Sequence, residues 1–218
     1  MRLCHMNAKK MILTVLVSAS LVAGTSLAQG EQNRTAPENE NEARLNKLQP
    51  PDKVMAIIGA AEGMTIAEIG AGRGRYIVHL AERVGSKGKV YAEDIDAAAL
   101  QHLAERCRRV GFANVETIVG DQSNPKLPDG RMDLIFIISS YHHFSDPVAL
   151  MRNARPALKL TGRLAIAEWK PEEGGGGEGT TPAKMKTQME SAGFVLERID
   201  KSLEGNELYI YLFRLPPT

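Results

Sequence analysis

The sequence predicts an α/β fold of the doubly wound kind, and three observations predict it. Apolar runs of strand length alternate with longer stretches whose apolar residues recur at helical spacing. The first strand-like run, Met64 to Ala67, leads into Glu68-Ile69-Gly70-Ala71-Gly72-Arg73-Gly74, a glycine turn set between a strand and a helix. Asp94 then stands at the end of a second apolar stretch, Lys89-Val90-Tyr91-Ala92-Glu93.

The elements can be justified in order. Arg2, Lys9 and Lys10 precede an uncharged apolar stretch, Met11 to Ala23, and Ser26 and Ala28 supply small residues where a signal peptidase reads. Residues 1–28 therefore read as a secretory signal. A retained membrane anchor is the alternative, although the apolar stretch falls short of the ~20 residues a bilayer span needs. Residues 29–49, rich in Glu, Asn, Gln and Arg, read as a polar linker. Within them Glu40 to Leu48 has the pattern of a helix with Leu45 and Leu48 turned inward. The folded domain is expected to span 50–218, opening with Pro50-Pro51-Asp52 and a short helix through Val54, Ile57 and Ile58.

A strand is expected over 65–69 and a helix over 73–84, whose apolar face is Ile77, Leu80, Ala81 and Val84. A strand over 89–94 leads to a helix capped by Asp96 and running to about Val110. Strands follow over 115–119 and 133–138, the latter continuously apolar, as a central parallel strand covered on both faces should be. Asp146-Pro147 is a cap-and-N1 pair for a helix through Leu150, Met151, Ala154 and Leu158. Lys159-Leu160-Thr161-Gly162 reads as a turn into a strand over 163–168. Thr181-Pro182 opens a last helix, ended by Gly193, and 194–203 and 207–214 pair as an antiparallel hairpin.

Charge and cysteine content exclude several functions. Removal of residues 1–28 takes three of the 27 basic residues and none of the 26 acidic ones, leaving 24 and 26 and a formal charge of −2. That balance, with no basic run longer than Arg108-Arg109 in the remaining chain, argues against a nucleic-acid partner. Arg106, Arg108 and Arg109 sit where they would meet the negative end of a helix dipole. Cys107 is the single cysteine after the signal and has core spacing with Leu100, Leu103 and Val110.

The glycine turn carries the chemistry. A strand, a glycine turn, a helix, a second strand and a terminal carboxylate form an adenosine-binding unit. The glycines let the backbone approach the ligand, and the carboxylate accepts hydrogen bonds from the ribose hydroxyls. A dinucleotide fingerprint would need glycine at position 75, which holds Arg75, so a nicotinamide cofactor is disfavoured. The pattern here is acid-x-G-x-G-x-G.

With these blocks the chain, from Pro50 to Phe213, resembles the class I S-adenosylmethionine-dependent methyltransferases. The resemblance implies a mostly parallel seven-stranded sheet with a C-terminal antiparallel hairpin, and S-adenosylmethionine as cofactor. It assigns cofactor binding to Glu68, Gly70, Gly72 and Gly74, ribose binding to Asp94, and the adenine amino group to Asp121 and Gln122, which follow the apolar run 115–119. Met132 to Ile138, followed by Ser139-Ser140-Tyr141-His142-His143-Phe144, resembles the family's fourth strand and its terminal loop.

Methyl transfer from a sulfonium needs positioning in a water-poor pocket, and a base only if the acceptor must lose a proton. His142 and His143 are the candidates for that proton; adjacent residues project differently, so one of them at most should face the substrate. Their spacing does not suit a metal, and none is expected. Glu168 is read either as a substrate ligand or as a cap on the following turn, and Trp169 as a pocket wall or packing residue. Arg73 and Arg75 either approach the cofactor carboxylate or face solvent. Asp133 is a strand-entry polar residue, and alternation turns Glu93 to the face opposite Asp94, away from the ribose. The acidic, glycine-rich run 171–179 offers few side chains to grip a substrate. The expected function is methylation of a small organic acceptor, quinone-like or otherwise apolar, by an exported, periplasmic protein with no stable membrane insertion. An exported non-catalytic protein binding an adenosine ligand or metabolite is the alternative.

Overall fold

The computed structural model describes residues 33–171 and 179–217, so the signal expected over 1–28 and most of the glycine-rich run lie outside the described residues. Seven strands form one sheet in the order β3-β2-β1-β4-β5-β7-β6. They are β1 (Thr65–Ile69), β2 (Lys89–Asp94), β3 (Val115–Val119), β4 (Met132–Ile138), β5 (Leu158–Trp169), β6 (Val195–Asp200) and β7 (Leu208–Arg214). The first five run parallel, and β7 is antiparallel to both β5 and β6. The strand order reverses between β1 and β4, and such a switch point opens a crevice at the carboxyl ends of the strands.

Six α-helices accompany the sheet among the described residues: α1 (Glu40–Leu48), α2 (Pro51–Ile58), α3 (Ile77–Val84), α4 (Ala97–Arg109), α5 (Pro147–Ala154) and α6 (Pro182–Ser191). Alternation along β4 divides the core. Leu134, Phe136 and Ile138 pack with α2, α3 and α4, while Ile135 and Ile137 pack with α5 and α6. The side-chain caps read from sequence are present: Asp96 accepts from Ala98 N and Ala99 N, and Asp146 from Ala149 N. Asp133, at the start of β4, accepts from Thr65 N at 2.8 Å and Lys159 Nζ at 2.7 Å, on the far side of the sheet from the switch point.

Four boundaries differ from expectation. The helix expected from residue 73 begins at Ile77, because Gly70, Gly72 and Gly74 all hold positive φ and the chain is still turning there. Helix α5 stops at Ala154, not Leu158: Pro156 lacks an N–H to continue it, and Arg155–Ala157 tighten into a 3₁₀ turn. The turn expected over 159–162 lies inside β5, where the register with β4 shifts between Met132 and Leu134.

The fourth difference concerns the segment expected to be a linker. Residues 33–49 pack against α4 and the glycine turn. Arg106, 2% exposed, donates to Glu42 Oε1 at 2.9 Å and to the Ala36 carbonyl at 3.1 Å. Glu38 receives His102 at 2.6 Å and Arg109 at 2.5 Å. Arg34 donates to the Val110 carbonyl and lies over the Phe112 ring. The arginines at the end of α4 thus tie down the N-terminal segment, beyond any favourable contact with the helix dipole. These contacts make 33–49 part of the same unit as the sheet.

Candidate active site

The glycine turn is held by the strand beside it: Gly70 N and Ala71 N both donate to the Glu93 carbonyl at 2.9 Å. Gly70 has φ +78°, and a Cβ there would lie 2.6 Å from Ser140 Oγ, so a side chain is excluded twice over. Ser139, which directly follows β4, adopts φ +50°, an uncommon conformation for a residue with a Cβ. Gln49 Nε2 donates to its hydroxyl from the other side.

Two cavities flank this point and share Gly70 and Ser139 in their walls. The first, a chamber of 280 Å³, lies between the glycine turn and α1. Its roof is pinned by Gln49, fully buried, whose Oε1 accepts from Arg75 at 2.6 Å and whose carbonyl accepts from Tyr76 Oη at 2.6 Å. Arg75 also reaches Asn46 Oδ1 at 3.2 Å. Glu68 forms part of the wall; it is 2% exposed and its Oε2 has no hydrogen-bond partner. Burial pushes its carboxyl up to about 8; nearby Asp94 adds to that and Arg75 opposes it.

The second cavity, a cleft of 390 Å³, opens over the ends of β1, β2, β3 and β4. Asp94 lines it and is already oriented: its Oδ2 accepts from Gly72 N at 2.7 Å and its Oδ1 from Asp96 N at 2.9 Å. Each oxygen retains a lone pair for a ribose hydroxyl. Asp121 lines the far wall, with Oδ1 accepting from Ser123 N at 3.1 Å and Asn124 N at 2.8 Å. Those backbone N–H groups, Ser123 foremost, hold its carboxyl below the usual range. Gln122 stands exposed on the rim, and Ile95, 57% exposed, and Leu150 offer apolar surface.

The two histidine rings lie against each other, their centroids 4.0 Å apart, but only one of them reaches the cleft. His143 lines the cleft beside Phe144. His142 turns toward β5: its Nδ1 lies 3.0 Å from Glu168 Oε1 and its backbone N donates to Oε2 at 3.3 Å. Glu168 is fully buried, also accepts from Trp169 N at 2.8 Å, and has its carboxyl pushed up by that burial. It caps the turn and holds the His142 ring, and it lines neither cavity.

Of the residues read from sequence, the chamber receives Glu68, Gly70 and Gly72, and the cleft receives Gly70, Asp94, Asp121, Gln122 and His143. Gly74 lines neither; a Cβ there would meet Leu103 Cγ at 2.8 Å, so its bare Cα serves the packing of α4. Arg73 and Arg75 both border the chamber. Sequence reasoning missed Gln49, Ser139 and the place of Glu93 in the cleft lining. The one available signal was the Ser139-Ser140 pair at the end of an apolar strand, where small residues allow close approach.

Residues 60–210 match the family model of a methyltransferase domain. The chain belongs to the class I S-adenosylmethionine-dependent methyltransferases. The chain is 29% identical over 115 residues to nocamycin O-methyltransferase of Saccharothrix syringae, covering 52% of this chain and 41% of that protein. It is 28% identical over 118 residues to a ubiquinone/menaquinone biosynthesis C-methyltransferase of Shewanella sp. (strain W3-18-1), covering 53% and 47%. The aligned part thus spans less than half the length of these curated relatives. A solved S-adenosylmethionine-dependent methyltransferase from Aquifex aeolicus superposes with a TM-score of 0.71 at 29% identity, over 79% of this chain and 96% of that one.

S-adenosylmethionine is the cofactor of this family, and the residues present fit it. The orphaned Glu68 Oε2 suits an ammonium group, with Arg73 and Arg75 at the same chamber for a carboxylate. Asp94, Asp121, Gln122 and Ile95 offer the cleft what a nucleoside needs: acceptors, a donor and an apolar platform.

Proposed function

We propose that this methyltransferase methylates a small organic acceptor, quinone-like or otherwise apolar, by in-line displacement. The observation that carries the reading is the junction of chamber and cleft at Gly70 and Ser139, which would hold the two ends of one extended cofactor on either side. The cofactor, when bound, supplies an electrophilic methyl group on a sulfonium. The chain's part is to fix geometry and exclude water: α1 and Gln49 roof the chamber, while Phe144 and Leu150 give the cleft apolar walls. His143, facing the cleft, is the group placed to take a proton from an acidic hydroxyl; His142, fixed to Glu168, supports its loop. The names of the two relatives, one a ubiquinone/menaquinone biosynthesis C-methyltransferase and one an O-methyltransferase, support an acceptor of this class.

Incubating the chain with S-adenosylmethionine and a panel of quinols and phenols, and following S-adenosylhomocysteine formation, tests the reading. Release with one acceptor class and not with amines supports it; no release with any acceptor, from a sample that binds the cofactor, contradicts it. We propose as well that the chain is exported, on the pattern of residues 1–28. No helix among the described residues is long and apolar enough to cross a membrane. Fractionation with N-terminal sequencing of the mature protein checks this; an intact Met1 in the cytosol would refute it.

A further inference from the structure

Glu93 is the buried acidic group of the cleft to which neither the sequence motifs nor the proposed reaction gives work. It is 2% exposed at the end of β2, on the sheet face that Tyr91 shares, with Ile69 and Ile118 as its register partners. Strand alternation turns it away from Asp94, yet the cleft floor crosses the strand ends and includes them both. Its carboxyl lies against Gly120: a Cβ at that position would fall 1.8 Å from Glu93 Oε1, so the bare Cα of Gly120 makes the room this side chain occupies. Asp121 and Gln122 follow directly and form the cleft's far wall.

We propose that Glu93 is a nucleobase-binding residue of this site, presenting a neutral carboxyl group, one donor and one acceptor, to the edge of the adenine ring. The inference rests on the cofactor reading above and deepens it. Ordinary carboxylates only accept; a neutral one pairs with a base edge that carries an amino group beside a ring nitrogen, giving as well as taking a hydrogen bond. The surroundings keep the proton on. Burial raises the carboxyl to about 8, and Asp94 and Asp121 push the same way, while the Gly70 N–H and Lys126 oppose them. Asp94 and Asp121 thus serve twice, as ligands in the cleft and as neighbours that help keep the proton on Glu93.

The test is calorimetric titration of the full chain and of Glu93→Gln and Glu93→Leu with S-adenosylhomocysteine at pH 6.5 and 9.5. Melting curves at both pH values establish that each variant is folded. Any effect of Glu68 or of the ligand's amino group is common to all three proteins and cancels in their ratios. Glu93→Gln, which keeps a donor and an acceptor, should match the parent at pH 6.5 and bind about tenfold tighter than it at pH 9.5, where the parent has lost its donor. Glu93→Leu should bind about tenfold more weakly than the parent at pH 6.5. A ratio between Glu93→Gln and the parent that stays constant across both pH values would overturn the proposal and leave Glu93 as floor packing. Failure of the parent to bind at all would overturn the cofactor reading, and the proposal with it.

Discussion

The chamber and the cleft share Gly70 and Ser139 but are built in opposite ways. The cleft is made by strand ends and the loops that leave them, and its polar groups are held locally: Asp94 by Gly72 and Asp96, Asp121 by Ser123 and Asn124. The chamber is made by a separate segment folded back over the glycine turn, and its roof is fixed by bonds that span the chain. Glu42 and Arg106 are 64 residues apart in sequence, and Gln49 and Ser139 are 90 apart. Local construction makes the cleft robust to single substitutions. Long-range polar construction makes the chamber depend on each of its ties.

The largest effect should therefore come from the roof. Arg106→Ala leaves Glu42 buried without its cation and should cost about 3–5 kcal/mol in denaturant unfolding, with cofactor affinity lost in parallel. If Arg106→Ala unfolds with the parent's midpoint, the roof is not coupled to the domain and the contrast between the two cavities fails. In the cleft, Asp94→Ala removes the carboxyl acceptor and should weaken S-adenosylhomocysteine by about 1.5–3 kcal/mol, with a smaller loss of stability than Arg106→Ala because only the local bonds from Gly72 and Asp96 go with it. Equal affinity would remove Asp94 from the ribose. Gln49→Ala breaks the tie from the roof to Arg75 and Ser139, and should cost about 1–3 kcal/mol of stability together with a smaller loss of affinity.

Glu68 sharpens the comparison through pH. Its folded value, about 8, lies above the ordinary 4.5, so in the free protein the proton is retained on folding between those limits. Charging it then opposes folding progressively as pH rises from about 4.5 to about 8, and not below that window. Glu68→Gln should match the parent at pH 4 and exceed it at pH 8.5 by on the order of a few kcal/mol, as urea unfolding at the two pH values would reveal. The same substitution should weaken cofactor binding. His143→Ala, the smallest perturbation, should lower turnover and spare cofactor affinity; full activity would leave positioning as the whole of the mechanism.

The same contrast decides what was legible in the sequence. Strands β1, β2 and β3, the Asp96 cap and the glycine turn are local patterns, set by burial period and backbone conformation, and they read directly. Asp94 and Asp121, the carboxylates of the cleft, follow from that local framework. The roof did not read, because a Glu42 side chain in a polar stretch looks solvated until Arg106 is brought beside it. Polar composition argued for a linker; two buried charges that satisfy each other make it part of the domain. Glu93 shows a different limit. Alternation gave its face correctly, but not that the cleft floor reaches across both faces where the strands end. Gly74 reads as a ligand-facing glycine by motif, and is instead required by Leu103.

The central claim is that one extended adenosyl cofactor occupies both cavities, its amino-acid end beneath α1 and its base in the cleft. Calorimetric titration of the chain with S-adenosylhomocysteine at pH 7, in buffers of different ionisation enthalpy and with a nicotinamide dinucleotide as control, tests it most directly. The account predicts selective micromolar binding with release of about one proton, as neutral Glu68 ionises against the ligand's ammonium group. Binding without proton release would take the amino-acid end out of the chamber. No binding, or equal binding of the dinucleotide, would contradict the claim outright.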